Sequence, residues 1–264
     1  MTKPPYGMTF FGHPTGRLSD GRLIIDFIAE ALGLPLLPPS LAKNQDFKQG
    51  ANFAVAGATT LKQQGAVDVH AGAGVRLPPN NISLVDELGW FDAMKPSLCS
   101  SPQACKDYFS RALFVVEADR RRRHGDRGVG ATAAGVRAGE PGVPGQPEHG
   151  GLRAGHGVPE ERHPGARITY ADLYTPVVGF AASPAQYGFA GGAGGGVLRA
   201  CCDGGGGRYN FNLSAACGMP GVGAIGDPAA FVNWDGVHLT EAAHHRVADG
   251  WLRGPYAHPP ILNL

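Results

Sequence analysis

The most informative segment of this chain is Val232-Asn-Trp-Asp-Gly-Val-His-Leu-Thr240. It places Asp235 and His238 three residues apart, just ahead of a predicted helix. One short turn can then hold the carboxylate against an imidazole nitrogen, which fixes the ring tautomer and stabilises the imidazolium. The other ring nitrogen is left to act as a general base towards a hydroxyl. Taken alone, Asp-x-x-His is more often a plain Asp-Gly turn beside a surface histidine.

Three segments are predicted to form helices. A first helix is predicted over Leu23–Leu32, capped by Ser19 or Asp20 and ended by Gly33. Its Asp26 is expected to be an exposed helix residue rather than a catalytic acid. A second helix is predicted ahead of Cys99. A last helix follows the Asp-Gly turn, and its apolar face comprises Ala243, Val247 and Trp251.

Strand patterns alternate with these helices, which predicts the α/β class. The continuous apolar run Ala112–Val116 is typical of a central parallel strand. Ala166–Tyr174 alternates apolar and polar residues and predicts another strand. Asn52–Thr60 is small and apolar, as expected of a buried strand that runs into a glycine turn.

The segment 117–162 differs in composition from the rest of the chain. It contains no Phe, Trp, Tyr, Ile or Met, one leucine, and a run of four arginines at its start. Such a segment buries too little apolar surface to offset its ordering entropy, so we expect it to be disordered within an otherwise single domain, 1–264. Because Arg, Gly, Ala and Pro have GC-rich codons, we interpret it as out-of-frame translation accompanied by a deletion.

Composition argues against several classes of function. The net charge is +1, so no overall field attracts nucleic acid or an anionic membrane. The arginine run Arg120–Arg123 lacks interleaved aromatic residues, which weakens a nucleic-acid interpretation. No run approaches the roughly 20 apolar residues of a membrane span, and Met1–Tyr6 does not resemble a secretion signal. We therefore expect neither a membrane span nor an export signal, and nothing in the sequence indicates the oligomeric state.

The five cysteines favour disulfides over a metal site. They form a close pair and a triplet without Cys-x-x-Cys spacing: Cys99 and Cys105, then Cys201, Cys202 and Cys217. A zinc site at His238, Glu241, His244 and His245 is disfavoured because the order is His-x-x-Glu rather than His-Glu-x-x-His. We predict no metal and no cofactor.

Three segments together resemble the plant GDSL esterases/lipases of the SGNH-hydrolase superfamily. They are Pro4–Arg22, Gln49–Ala58 and the block Trp-Asp-Gly-x-His-Leu-Thr-Glu-Ala-Ala from Trp234. The resemblance implies a flavodoxin-like three-layer α/β/α fold that acts on small-molecule, lipid or carbohydrate esters. It also implies that Asp235 and His238 complete a Ser-His-Asp triad and that the backbone N–H of Gly57 serves the oxyanion hole. From the cysteine spacing itself, we predict disulfides among Cys99, Cys105, Cys202 and Cys217. Family members are usually secreted, which leaves the localisation of this chain open.

Two departures from the family pattern bear on function. The chain contains no Gly-Asp-Ser, which in the family ends the first strand and supplies the nucleophile. The Gly-x-Asn-Asp block expected after Val116 is also absent, and Ser19 lies in a later segment where we expect a loop or cap residue. We therefore predict an ester hydrolase with impaired activity and an incomplete, poorly soluble fold. The alternative is a catalytically inactive binding protein or a pseudogene product.

Overall fold

A computed structural model describes residues 3–58, 69–71, 75–77, 82–116, 134–138, 166–190 and 196–264 of the chain. The helices are α1 (Ile24–Ala31), α2 (Leu84–Leu98), α3 (Pro102–Phe109), α4 (Tyr174–Ala182) and α5 (Glu241–Arg253). The strands are β1 (Val69–Ala71), β2 (Val75–Leu77), β3 (Leu113–Val116), β4 (Ala134–Ala138), β5 (Ala166–Ala171) and β6 (Ala257–His258). This mixture of helices and strands agrees with the predicted α/β class.

Contacts group the chain into two compact units. The first comprises Met1–Leu36, His70–Arg76 and Leu173–Leu252, and the second comprises Leu37–Val69, Leu77–Asp172 and Arg253–Leu264. The predicted single domain stays a prediction. Most of the segment 117–162 lies outside the described residues, but β4 falls within it, and the expected disorder of the remainder is untested.

Helix α1 of the first unit is close to its predicted bounds. Ile24, Phe27 and Ile28 are buried along one face, and Gly33 follows the helix with a φ of +69°, in the left-handed region that favours glycine. The predicted cap is wrong. Leu23 is the N-cap, and its backbone N–H donates to the side chain of Asp26 over 2.9 Å.

Two aspartates near α1 differ from their expected roles. Asp26 is fully buried rather than exposed, because Arg17 pairs with its carboxylate at 2.6 Å and compensates its charge. Asp20 instead accepts a hydrogen bond from the backbone N–H of Glu241, the first residue of α5, at 2.7 Å. Gly21 and Arg22 separate Asp20 from Leu23, the N-cap of α1. Helix α5 itself follows the prediction, with Ala243, Val247 and Trp251 fully buried.

The second unit contains the larger sheet, with strand order β3-β4-β5-β6. All three pairs are antiparallel, so the expectation that Leu113–Val116 lies in a parallel sheet is wrong. A parallel neighbour requires a crossover connection with an apolar face, usually a helix, and residues 117–133 hold a single large apolar side chain, Val129. An antiparallel partner needs no such helix. A cluster of partly buried aromatic side chains in this unit centres on Phe91, which makes edge contacts with Phe53, Phe109 and Phe114.

Two strand boundaries differ from expectation. β5 ends at Ala171 and Tyr174 already begins α4, so the predicted strand is three residues too long. Asn52 makes only an isolated parallel bridge to Pro39, and residues 53–58 form no strand. The small residues there favour a turn, which Gly57 supplies with a φ of +75°. Helix α2 ahead of Cys99 is confirmed.

Candidate active site

Asp235 and His238 meet across one tight turn in the first unit. The distance from Asp235 Oδ2 to His238 Nδ1 is 2.7 Å. The turn is closed by a hydrogen bond from the backbone N–H of Trp234 to the carbonyl of His238, at 2.8 Å. Gly236 has a φ of +92°, and its N–H donates to the side chain of Asn233. The sequence Asn-Trp-Asp-Gly therefore forms the turn because an Asn side chain and a left-handed glycine both favour it.

The carboxylate of Asp235 accepts four hydrogen bonds. Oδ1 accepts from the backbone N–H groups of Val237 (3.0 Å) and His238 (2.8 Å), while Oδ2 accepts from His238 Nδ1 and from the hydroxyl of Tyr6 at 2.7 Å. Burial alone raises the pKa of Asp235, since only 8% of the residue is exposed. The hydrogen bond and charge of His238, together with the hydroxyl of Tyr6, outweigh that effect and hold the pKa below its ordinary value. The carboxylate is thus ionised at neutral pH.

This arrangement determines what His238 can do. An ionised acceptor at Nδ1 favours the tautomer that carries its proton on Nδ1, so Nε2 bears the free lone pair. The side chain of His238 is 30% exposed, and no partner for Nε2 occurs among the described residues. His238 can therefore accept a proton from a group that approaches from solvent.

The contribution of Tyr6 was not predicted from the sequence. Its ring lies edge-on to Trp234, with ring centroids 5.9 Å apart, and both side chains pack with Cys201 and Cys202 in one buried cluster. Burial raises the pKa of Tyr6, and the neighbouring carboxylate of Asp235 raises it further. The hydroxyl therefore stays protonated and acts as a donor. No local pattern could have identified this contact, because it joins residues 229 positions apart.

The segment Ser19-Asp-Gly-Arg22 contacts the residues that follow His238. Ser19 donates to the carbonyl of Leu239 at 3.0 Å and is fully buried, which agrees with the predicted loop role and leaves its hydroxyl inaccessible. Arg22 pairs with Glu241 at 2.7 Å. Gly21 lies so close to Glu241 that a Cβ there would be 1.5 Å from its carboxylate oxygen. A side chain at that position would therefore displace Glu241.

Two further ionisable side chains lie near the pair. Asp203 accepts from the backbone N–H of Asn212, yet its Oδ2 is buried without a partner among the described residues. Burial raises the pKa of Asp203, and the charge of Asp235 adds to that effect. Both ring nitrogens of His244 are likewise buried and unpartnered within the described part of the chain. Burial, with the charge of His238, lowers the pKa of His244 to about 3.

Comparison with known proteins identifies the family. The family model for GDSL-like Lipase/Acylhydrolase matches residues 7–118. GDSL esterase/lipase At5g45910 of Arabidopsis thaliana is 37% identical over 318 aligned positions, covering 97% of this chain and 84% of that protein. The chain belongs to the GDSL esterase/lipase family. GDSL esterase/lipase At1g28580 of the same plant is 36% identical, with 99% of this chain and 80% of that protein covered. No solved structure matches the chain significantly.

Membership of the GDSL family supports ester hydrolysis as the function of this chain. Asp235 and His238, which the sequence analysis paired, are in contact. Gly57 belongs to the second unit and lies in a turn in which the N–H of Ala58 donates to the carbonyl of Val55. The roles of all three remain predictions. No Gly-Asp-Ser sequence occurs in the 264 residues.

The cysteines of this GDSL protein form two disulfides. Cys99 is bonded to Cys105, and Cys202 to Cys217. Cys201 is a buried free thiol, and burial raises its pKa to about 12, which keeps it protonated. The described residues hold no cluster of His, Cys, Asp and Glu that could bind a metal ion. None of the described helices is both long and apolar enough to cross a bilayer.

Proposed function

We propose that this GDSL protein acts on carboxylic esters of small molecules, lipids or carbohydrates through His238 as general base and Asp235 as its orienting partner. The observation that carries the proposal is the 2.7 Å contact between Asp235 Oδ2 and His238 Nδ1, made by a buried, ionised carboxylate. A neutral surface histidine beside an Asp-Gly turn would not need a buried counter-charge. The backbone N–H of Gly57 is proposed as a donor to the oxyanion.

We also propose that this 264-residue polypeptide hydrolyses esters at a much reduced rate. The chain holds no Gly-Asp-Ser, and after Val116 it reads Glu-Ala-Asp rather than Gly-x-Asn-Asp. The alignment to At5g45910 runs over 318 positions, longer than the chain itself, so that relative has residues without a counterpart here. Loss of a serine nucleophile costs on the order of 10⁶ in rate, and loss of one oxyanion donor about 10²–10³.

The remaining chemistry is direct attack by water. His238 Nε2 removes a proton from a water molecule as its oxygen forms a bond to the ester carbonyl carbon, and Asp235 stabilises the resulting imidazolium. The tetrahedral intermediate then collapses with cleavage of the bond to the alcohol oxygen. The imidazolium returns its proton to that oxygen, so the products are an acid and an alcohol. Without a covalent acyl-enzyme step, this reaction is slow.

Hydrolysis of p-nitrophenyl butyrate by the native chain, by His238→Ala and by His13→Ala tests the proposal. His13 is an exposed histidine, so its loss controls for the general effect of removing an imidazole. We expect weak turnover above buffer that His238→Ala removes and His13→Ala preserves. Identical rates for all three proteins would overturn the enzymatic role and favour the catalytically inactive binding protein.

A further inference from the structure

The hydroxyl of Tyr6 reaches the oxygen of Asp235 that also holds His238. Tyr6 Oη and His238 Nδ1 each lie 2.7 Å from Asp235 Oδ2. Two donors on one carboxylate oxygen restrict its rotation about the Cβ–Cγ bond, because rotation changes the distance from Oδ2 to both donors. The direction in which the carboxylate presents Oδ2 to the imidazole is therefore determined jointly by the histidine and the tyrosine.

The four donors to the carboxylate of Asp235 come from two different segments of the chain. Three of them belong to the turn that contains Asp235 itself, namely the backbone N–H groups of Val237 and His238 and the imidazole of His238. These three move with the turn. Among the described residues, only the Tyr6 hydroxyl ties the carboxylate to a distant segment of the chain.

The surroundings of Tyr6 make it a fixed reference point. The side chain is 6% exposed, its ring packs edge-on against Trp234, and it belongs to a cluster with Cys202, whose disulfide to Cys217 lies alongside. The backbone N–H of Cys202 in turn donates to the carbonyl of Trp234 at 2.6 Å. Because the ring of Tyr6 is packed in this way, its hydroxyl stays in one position when the carboxylate of Asp235 rotates.

We propose that Tyr6 is a positioning residue for the Asp235–His238 pair, and that its hydroxyl holds the carboxylate in the orientation that keeps the proton of His238 on Nδ1. This inference rests on the proposed function for its catalytic consequence, but its structural consequence can be measured without turnover. The groups that face Asp235 are Tyr6, His238 and the carboxylate of Asp203. Asp203 accepts from backbone rather than from Tyr6, so it does not compete for the hydroxyl.

The test compares Tyr6→Phe with Tyr209→Phe in the full chain. Tyr6→Phe removes the hydroxyl and keeps the ring against Trp234, while Tyr209→Phe removes the hydroxyl of an exposed tyrosine as a matched control. The readout is the 15N chemical shifts of the imidazole nitrogens at a pH where histidines are neutral, which report the tautomer of each ring. Native near-UV circular dichroism in both variants establishes that packing is retained.

We expect Tyr6→Phe to shift His238 from the Nδ1–H tautomer towards a mixture and to leave His13 unchanged, while Tyr209→Phe alters neither. We also expect kcat for p-nitrophenyl butyrate to fall about tenfold with KM unchanged, as for loss of one hydrogen bond to a charged group. An unchanged His238 tautomer in a folded Tyr6→Phe variant would overturn the proposal even if His238→Ala abolishes turnover. If His238→Ala leaves turnover unchanged, the proposed function fails, and the tautomer measurement still decides the role of Tyr6.

Discussion

The carboxylate of Asp20 accepts a hydrogen bond from the backbone N–H of Glu241 at 2.7 Å, across 221 positions of sequence. It thereby satisfies one of the free N–H groups at the start of α5 and places a negative charge at the positive end of that helix. Helix α5 begins three residues after His238. The amino-terminal loop therefore fixes the segment that carries the candidate base.

Replacing Gly21 with alanine tests this connection. A Cβ at that position would lie 1.5 Å from the Glu241 carboxylate, so Glu241 must move away from Arg22. We expect a loss of about 1–3 kcal/mol in the free energy of unfolding, typical of overpacking at a buried contact. Urea denaturation followed by tryptophan fluorescence measures it. Gly223→Ala, at a glycine with open space around its Cβ position, is the control. Equal stability of the two variants would refute the contact.

The charge of Asp235 stabilises the fold in a way that depends on pH. Its folded-state pKa is lowered, so the stabilisation is complete above the ordinary aspartate value of about 3.9 and is lost as pH falls through the folded value. Asp235→Asn is expected to cost about 1–3 kcal/mol at pH 7, and the difference from the native chain to shrink below pH 4. Urea denaturation at pH 7 and pH 3 measures both values, with exposed Asp92→Asn as control. A difference that persists undiminished at pH 3 would contradict the assignment.

Asp203 is expected to have the opposite effect. Its folded-state pKa is raised, so its charge costs stability at neutral pH, and that cost disappears as protonation neutralises it at lower pH. Asp203→Asn retains an oxygen that can accept from the backbone N–H of Asn212. We expect the variant to be more stable than the native chain by about 1 kcal/mol at pH 7, with no gain at pH 3. Destabilisation at pH 7 in the same urea experiment would show that the charge of Asp203 is instead stabilising.

Features that arise from residues close together in the sequence were predictable from the sequence alone, whereas contacts between residues far apart in the sequence were not. Helices α1 and α5 were predicted because an apolar face at 3.6-residue spacing is a local pattern. The contact between Asp235 and His238 was predictable for the same reason, since three residues separate them. The Tyr6–Asp235 and Asp20–Glu241 hydrogen bonds were not predictable, because nothing local distinguishes a tyrosine or aspartate that bonds to the other end of the chain.

Two of the expectations were wrong because the property in question depends on a different part of the chain. The strand Leu113–Val116 was expected to be parallel because a continuous apolar run is typical of parallel sheets, but the direction of a strand's partner is not encoded in the strand itself. Asp26 was expected to be exposed because it is charged. Its burial depends on Arg17, nine residues earlier, which compensates the charge.

The burial of His244 in its neutral form predicts that the free energy of unfolding falls in acid. Its folded-state pKa of about 3 lies below the ordinary value of about 6.5, so the stability that its neutral form provides is lost as pH falls between these values. We expect His244→Phe to gain about 2 kcal/mol relative to the native chain between pH 7 and pH 5. Urea denaturation at both pH values measures the gain, and exposed His13→Phe should show none. Parallel pH profiles for the native chain and His244→Phe would contradict a buried, neutral imidazole.

We propose that these 264 residues, which contain no Gly-Asp-Ser, hold the acid–base pair Asp235 and His238 without a serine nucleophile. Incubation of the folded chain with a fluorophosphonate probe, followed by intact-protein mass spectrometry, tests this most directly. We predict that the mass stays that of the unmodified polypeptide, because the sequence holds no Gly-Asp-Ser to supply an activated hydroxyl that could attack phosphorus. One covalent adduct per chain, formed by the native protein and lost on unfolding or in His238→Ala, would contradict the claim.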